Sequence, residues 1–241
     1  MKLIYLEHSG FLICGDKFNM VIDYYKGQTD VFALVERHAL NSARPLYVLV
    51  SHHHTDHYDP SVLSWRSQNG AAPVYIFSGD VTGTKVPGQT GQKPTFINAG
   101  EEYSDNIVRV KAFGSTDEGV SFYIEADGKK IFHAGDLNNW HWDEESTTEE
   151  VRESENAYLK ELAKAAQEIK SLDLAMFPLD IRLGGGYMRG AEQFLDAIKV
   201  ALFAPMHFCG RFDTLPPFKA YAEKRGSKVV LWEAEGQEAE F

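Results

Sequence analysis

Short apolar runs open the chain and predict β-strands joined by tight turns. Residues 3–6, 11–14 and 20–22 are apolar, and turn-forming residues, several of them glycine, separate them. A further run at 46–50, Leu-Tyr-Val-Leu-Val, is long enough for a buried strand. Apolar positions at helical spacing predict one amphipathic helix over 31–40. The chain therefore begins as a meander of strands.

The rest of the chain interleaves strands with helices. The pattern predicts strands at 73–77, 107–113, 119–125, 130–133, 174–177, 201–205 and 229–232, and helices at 59–69, 146–169, 191–200 and 216–225. Ser146 and Glu149 have the spacing of a capping box at the start of the longest helix. Glycines and prolines over 78–94 predict a long loop, which is either a flap over a functional site or a surface excursion.

Strands first and helices later, in both halves, suit two sheets packed face to face with helices outside. We therefore predict an α+β fold, a four-layer αββα sandwich, in a single domain over residues 1–241. Hydrophobic residues make up 44% of the chain, and no apolar stretch approaches the roughly 20 residues that cross a bilayer. The first residues become polar too early for a secretory signal, so we expect a cytoplasmic location without a membrane partner.

The charge balance limits the partners. The formal net charge is −11, from 35 acidic and 24 basic residues, and no segment is rich in lysine or arginine. Because a positive face is what attracts a polyanion, nucleic acid is excluded as a partner and a small-molecule substrate is expected. The sequence leaves the oligomeric state open, with a homo-oligomer as one option. Cys14 and Cys209 lie far apart and encode neither a disulfide framework nor a thiolate metal site.

Four potential metal ligands follow the apolar run 46–50 directly. Side chains alternate along a strand, so His52 and His54 face one side, while Asp56 and His57 lie past the bend and can face a second position. Imidazole and carboxylate groups bind zinc and related divalent cations. The loop therefore predicts a site for one or two neighbouring cations.

The pattern His-x-His-x-Asp-His resembles the signature of the metallo-β-lactamase superfamily of metal-dependent hydrolases. The resemblance implies an αββα sandwich over essentially the whole chain, with the metal site at an edge where loops of both halves meet. It also implies two later ligands. Asp136, which ends the segment His-Ala-Gly-Asp, corresponds to the aspartate that bridges two cations, and His207, which ends Ala-Pro-Met-His, corresponds to the last ligand.

One position of the resembled pattern lacks its histidine. The segment before the His-Ala-Gly-Asp strand carries Ser115, Thr116 and Asp117 instead. Three interpretations remain open: Asp117 replaces the imidazole with an oxygen ligand, the segment is an ordinary hydrogen-bonded turn, or it binds substrate. An oxygen ligand would move the preference from zinc towards manganese, iron or magnesium. We expect zinc first, with manganese or iron as alternatives.

Further candidates surround these ligands. His141 lies between two tryptophans just after Asp136 and is a candidate ligand or part of a substrate wall. Arg182 opens a glycine-rich loop at 182–187 that would suit an anion, although the same segment also fits an exposed turn. His133 is expected to support the ligands from behind, and nothing in the spacing of His8 requires a place in the site.

These residues predict a metal-dependent hydrolase. A cation with an open coordination position yields a metal-activated hydroxide near neutral pH, and Asp56 is the candidate catalytic residue that orients this water. The substrate would be small and, if the loop at 182–187 binds it, anionic: a lactone or a phosphoester. Within the superfamily the chain looks most similar to small lactonase and phosphodiesterase-like members, including ascorbate-6-phosphate lactonase. The alternative is a metal- or ligand-binding module of the same fold without turnover.

Overall fold

Two β-sheets form the centre of the protein. The computed structural model describes residues 1–27, 30–81 and 93–241, and within them it contains two mixed sheets of seven strands each. The predicted α+β sandwich is therefore confirmed. Most of the predicted loop at 78–94 lies outside the described residues.

The first sheet contains the opening meander. Its strands are β1 (Lys2–Tyr5), β2 (Phe11–Cys14), β3 (Asn19–Ile22), β4 (Leu46–Val50), β5 (Val74–Ser78), β6 (Thr95–Ile97) and β14 (Glu238–Glu240). They are ordered β14-β1-β2-β3-β4-β5-β6, and β3 to β6 are parallel. The strand β14 was not predicted. It pairs antiparallel with β1 and forms the edge strand of this sheet.

The second sheet contains the later strands. They are β7 (Glu102–Ser104), β8 (Val108–Gly114), β9 (Val120–Ala126), β10 (Lys129–His133), β11 (Ser171–Pro178), β12 (Lys199–Met206) and β13 (Lys228–Val229). Their order is β13-β12-β11-β10-β9-β8-β7, with β10 to β13 parallel and β7 to β10 antiparallel. The predicted last strand at 229–232 is shorter than expected, with only Lys228 and Val229 paired.

Alternating side chains divide the first sheet between two apolar layers. In β1, Leu3 and Tyr5 join the large core shared with the second sheet, whereas Ile4 and Leu6 face a separate core. That separate core contains Val35 and Ala39 of the helix over 31–40. Because successive strand residues point to opposite faces, apolar residues at every position bury both faces of the sheet. This packing produces the layered sandwich.

The helices lie mostly where the pattern predicts them. They are α1 (Phe32–Val35), which continues as a π-helix over Glu36–Leu40, α2 (Thr148–Glu168), α3 (Arg189–Ala197) and α4 (Pro216–Lys224). The capping box of α2 is one residue later than predicted, with Thr147 and Glu150 as the reciprocal pair. After the cap at Asp59 only a 3₁₀ helix over Pro60–Ser64 forms, so the predicted helix to residue 69 is wrong. None of the helices in the described residues is long and apolar enough to cross a membrane.

The carboxyl ends of parallel strands in both sheets position the site. In the first sheet β3 ends before Asp23 and β4 ends before the loop 51–57. In the second sheet β10, β11 and β12 end before Asp136, Asp180 and His207. Val120 N donates to the carbonyl of Ser51 at 3.0 Å, so the backbone joins the two sheets at this edge. Side chains that follow five strands thus meet in one place.

Candidate metal centre

The first half of the site is a group of three ligands. His52, His54 and Asp136 each offer one ligand atom within 4.8 Å of the others. Nε2 of His52 lies 3.1 Å from Nδ1 of His54 and 3.6 Å from Oδ2 of Asp136. Tetrahedral coordination with bonds of about 2.1 Å places ligand atoms about 3.4 Å apart. The three atoms therefore have the spacing of ligands to one cation.

The second half contains a residue that the sequence pattern did not indicate. His8, Asp56, His57 and His207 form a group whose ligand atoms also lie within 4.8 Å of one another. Nε2 of His8 is 3.5 Å from Oδ2 of Asp56, and the rings of His8 and His207 are 4.0 Å apart. The carbonyl of His8 accepts from N of His207 at 3.1 Å, which holds the turn after β1 against the end of β12.

The carboxylate of Asp136 lies between the two groups. Its Oδ2 faces His52, while its Oδ1 lies 3.3 Å from Nε2 of His57 and 3.5 Å from Nε2 of His207. Within the described residues, Oδ1 of Asp136 and Nε2 of both His8 and His57 are buried and have no hydrogen-bond partner. Buried polar atoms are normally satisfied. These atoms therefore fit a cation as their common partner, with Asp136 placed to be shared between two cations.

Buried acceptors orient the imidazoles from behind. Oδ2 of Asp23 accepts from Nδ1 of His57 at 2.8 Å, and Oδ2 of Asp180 accepts from Nδ1 of His207 at 2.9 Å. Nδ1 of His52 lies 3.0 Å from the Ser51 hydroxyl. A partner on Nδ1 fixes the tautomer that leaves Nε2 free for a metal, and it raises the basicity of the ligand. Each of these rings is thereby prepared to present Nε2 to a cation.

The charges of the ligands differ because their surroundings differ. Burial lowers the pKa of His8 to about 3, and the neighbouring His207 and His57 add to this effect. Burial and His57 likewise lower the pKa of His52 to about 4. Burial opposes protonation of His207 as well, but the carboxylates of Asp136 and Asp180 outweigh it and raise the pKa of His207 to about 10. These surroundings therefore favour the neutral form of His8 and His52 and the protonated form of His207.

A cavity of about 320 Å³ opens onto the ligands. Its lining includes four of these ligands, His54, Asp56, Asp136 and His207. The other lining residues are Thr116, Asp117, Trp140, Trp142 and Arg182. A small molecule in this cavity would contact both the ligand cluster and a wall of aromatic and charged side chains.

The segment that lacks the expected histidine forms a hydrogen-bonded turn. Ser115 Oγ accepts from N of Asp117 at 3.4 Å, and the Thr116 hydroxyl donates to the carbonyl of Asn138 at 2.5 Å. Thr116 and Asp117 line the cavity, whereas Ser115 does not. Asp117 belongs to neither of the ligand groups described above. Of the three interpretations, this geometry favours the turn and contact with substrate over a metal ligand.

His141 lies away from the cavity, which corrects its prediction as a ligand or substrate contact. It is fully buried, with Nε2 3.1 Å from the carbonyl of Gly186, and its Nδ1 accepts from N of Asp143 at 3.2 Å. Arg182 does line the cavity, and its guanidinium binds the carboxylate of Asp180. The loop 182–187 forms two short 3₁₀ turns within Ile181–Gly186, separated by Gly184, whose φ is 68°.

Two other histidines have structural surroundings. His53, on the opposite side of the motif loop, is half exposed and binds Asp80 through Nδ1 at 2.9 Å. His133 is fully buried, with Nε2 2.8 Å from the carbonyl of Ser9 and Nδ1 3.9 Å from Oδ2 of Asp23. Its Nδ1 accepts from N of Gly135 at 3.1 Å, and its supporting role behind the ligands stays a prediction.

Sequence reasoning missed Asp23, and it gave no reason to place His8 in the site. Each follows a short apolar strand directly or within a few residues, which is the placement that identified the motif loop. Both adopt a left-handed backbone, with φ of 52° and 48° respectively. An isolated histidine or aspartate at a strand end has many uses, so only the three-dimensional fold separates these two from the rest.

Adjoining imidazole and carboxylate groups at the edge of an αββα sandwich are typical of metal-dependent hydrolases. The comparisons with known proteins agree with this class. A family model described as the beta-lactamase superfamily domain matches residues 2–151. The chain therefore belongs to the metallo-β-lactamase superfamily.

Relatives and solved structures cover nearly the whole chain. A UPF0173 metal-dependent hydrolase from Symbiobacterium thermophilum is 28% identical over 225 residues, which cover 89% of this chain and 87% of the relative. One from Thermococcus onnurineus is 25% identical over 236 residues, 93% of this chain and 90% of the relative. The metallo hydrolase Igni18 from Ignicoccus hospitalis has the same fold, with a TM-score of 0.64, 20% identity and coverage of 100% and 98%. The relatives' names confirm the predicted class, a metal-dependent hydrolase, and specify no substrate.

Proposed function

We propose that this protein hydrolyses a small anionic substrate, a lactone or a phosphoester, with the help of one or two divalent cations. The position of Asp136 carries the proposal. Its two carboxylate oxygens face separate histidine groups, and one of them is buried without a hydrogen bond among the described residues. A carboxylate shared between two cations explains this arrangement. Zinc suits the imidazole-rich ligands best, with manganese or iron as alternatives.

The residues that would hold the cations are already assembled. His52 and His54 would bind one cation, His8, Asp56, His57 and His207 the other, and Asp136 both. When bound, a divalent cation lowers the pKa of a coordinated water to about 7 and so supplies a nucleophile near neutral pH.

The side chains of the cavity account for the remaining steps. The neighbouring His57 and His8 overcome burial and lower the pKa of Asp56, so it is a carboxylate that can accept a hydrogen bond from the attacking water. Arg182 lines the same cavity and would attract the negative charge of the substrate. The indole of Trp140 lies against His207 and excludes bulk water from that side.

An Asp136→Asn variant tests the proposal. We would measure bound metal by elemental analysis, and turnover of generic lactone, phosphodiester and carboxylic ester substrates with zinc, manganese or iron added. Asp173→Asn is the matched control, because Asp173 pairs with Lys129 at the start of β10, away from the cavity. We expect the Asp136 variant to lose metal and turnover while the control keeps both.

Two results would contradict the proposal. Full metal content and full turnover in the Asp136 variant would remove the shared carboxylate from the mechanism. A full metal content without turnover of any substrate class in the unmodified protein would favour a binding module instead. The cytoplasmic location and the oligomeric state stay predictions from the sequence.

A further inference from the structure

The cavity wall beside the ligands contains two indoles and one guanidinium. The rings of Trp140 and Trp142 are almost parallel, at 14°, with centroids 6.3 Å apart. The indole of Trp140 meets the ring of His207 at 5.4 Å, and its Nε1 donates to the carbonyl of Asp136 at 2.8 Å. The guanidinium carbon of Arg182 lies 5.9 Å from the ring of Trp142. Two nearly parallel indoles therefore line the cavity between the metal ligands and a positive charge.

The guanidinium of Arg182 is fixed in direction but has donors left for a ligand. Its Nε binds both carboxylate oxygens of Asp180 at 3.0 Å, and its Nη2 binds Oδ2 at 2.5 Å. Its Nη1 makes no hydrogen bond within the part of the chain that the structure describes. A planar guanidinium held in this way loses little entropy when its free N–H groups bind an anion.

The loop that carries the indoles is held rigidly against the segment that carries Arg182. His141, between the two tryptophans, contacts the carbonyl of Gly186 through Nε2 at 3.1 Å. Trp142 has a φ of 43°, a left-handed conformation that is strained for a bulky residue. Backbone strain of this kind persists only where the surroundings enforce it, and it is common at ligand sites.

The two indoles and the fixed charge together define a substrate shape. We propose that the cavity selects substrates with a flat, unsaturated ring that carries an anionic group, such as a carboxylate or a phosphate, on the side away from the bond to be hydrolysed. The anion binds Nη1 of Arg182, the ring lies on Trp140 and Trp142, and the reacting group faces Asp136 and His207. This inference rests on the proposed function, because it names the substrate class for the same site.

Non-hydrolysable probes test the inference without turnover. We would measure dissociation constants of the metal-loaded protein by calorimetry for terephthalate, benzoate and trans-1,4-cyclohexanedicarboxylate. Benzoate lacks the second anion, and the cyclohexane compound has both anions on a puckered ring. We expect terephthalate to bind about tenfold more tightly than either comparator, the size of one good charged contact. A fourth probe, 4-phosphonobenzoate, shows whether a phosphonate or a carboxylate is preferred.

Two variants assign the selectivity to residues. Arg182→Gln should remove the advantage of terephthalate over benzoate, and Trp142→Leu should remove its advantage over the cyclohexane compound. Arg211→Gln is the matched control, because Arg211 pairs with Asp213 two residues away in the same manner but does not line the cavity. If Arg182→Gln loses metal, Arg182→Lys replaces it in the test. Lysine keeps the positive charge but lacks the planar guanidinium, so this variant should retain only part of the advantage of terephthalate over benzoate.

The outcomes separate this inference from the proposed function. Equal affinities for the three carboxylate probes, or a terephthalate advantage that survives in both Arg182 variants, would overturn the inference even if the protein hydrolyses generic substrates. Selective binding without hydrolysis of any substrate would support the inference and contradict the proposed function.

Discussion

Asp23 supports the metal ligands but does not line the cavity. Its replacement therefore tests how much the orientation of the ligand imidazoles contributes to metal binding. The carboxylate is fully buried, and its Oδ2 accepts from Nδ1 of His57 at 2.8 Å and from the Ser51 hydroxyl at 2.6 Å. Its Oδ1 accepts from N of Ser51 at 2.7 Å. An Asp23→Asn variant keeps the shape of the side chain but loses its charge and one acceptor. We expect His57 and, through Ser51, His52 to lose their fixed tautomers.

The expected loss of metal affinity in Asp23→Asn follows from the contacts of Asp23. Removal of an outer carboxylate that holds a ligating histidine typically weakens metal binding by about 10- to 100-fold, or about 1.4 to 2.7 kcal/mol. Asp23 contacts His57 directly and reaches His52 through one hydroxyl group. We therefore expect a loss near the upper end of this range for the cation bound by His57, and a smaller loss for its neighbour.

Competition with a chromophoric chelator would measure both affinities, and circular dichroism would check the fold. Asp105→Asn is the control, because Asp105 also accepts several hydrogen bonds, including one from the Tyr47 hydroxyl at 2.7 Å. It lies in the turn before β8, at the end of that strand opposite the site. A folded Asp23→Asn variant with unchanged zinc affinity would refute the assigned role of Asp23.

Three further predictions concern the backbone, the cation and pH. Gly119→Ala should lower the free energy of unfolding by more than about 2 kcal/mol, because φ is 68° and the new Cβ would overlap the carbonyl of Ser51. Gly128→Ala is the control: it also has a positive φ but lies in an open turn, so it should cost about 1 kcal/mol in thermal unfolding. Chelation of the cation should lower Tm, by the equivalent of about 2.7 kcal/mol if free metal was at 100 times its dissociation constant; an unchanged Tm would contradict a metal-stabilised site. Metal affinity should rise from pH 6 to 9, because the pKa of His57 and that of His207 are raised and a cation must displace their protons. Calorimetry in buffers of different ionisation enthalpy would detect this proton release, and its absence would show that both rings are already neutral.

The fold was predictable where one periodicity dominates. Buried strands and long helices were found from apolar spacing alone, and the sandwich followed from their order. The errors have local causes. Ser146 and Glu149 satisfy the capping-box spacing as well as Thr147 and Glu150 do, so the sequence alone does not distinguish the two starts. The strand β14 is short, polar and exposed in part, and its pairing with β1 joins residues more than 230 positions apart.

The site was predictable only where ligands are close in sequence or match a known pattern. Four motif residues and the strand ends at Asp136 and His207 meet as the resemblance implies. Asp180, which the sequence pattern does not mark as a support for a ligand, is buried behind His207. Residues such as Asp23 and Asp180 act through hydrogen bonds to other side chains, and such contacts have no fixed spacing along a chain.

Backbone strain identifies the functional edge independently of the ligands. Among the described residues, six that are not glycine have positive φ: His8, Asp23, Asp127, Trp142, His207 and Cys209. His8 and His207 belong to the second ligand group, and Asp23 supports a ligand. Trp142 lines the cavity, and Cys209 follows His207 by two positions. Of the six, only Asp127 lies in an ordinary hairpin turn. Each such conformation costs of order 1 kcal/mol and persists only where packing and hydrogen bonds enforce it. Aspartate and histidine adopt a left-handed backbone more often than most residues do, but the preference is weak, so this concentration of strain is enforced by the tertiary structure. It places the functional edge of the sandwich where the imidazoles and carboxylates converge.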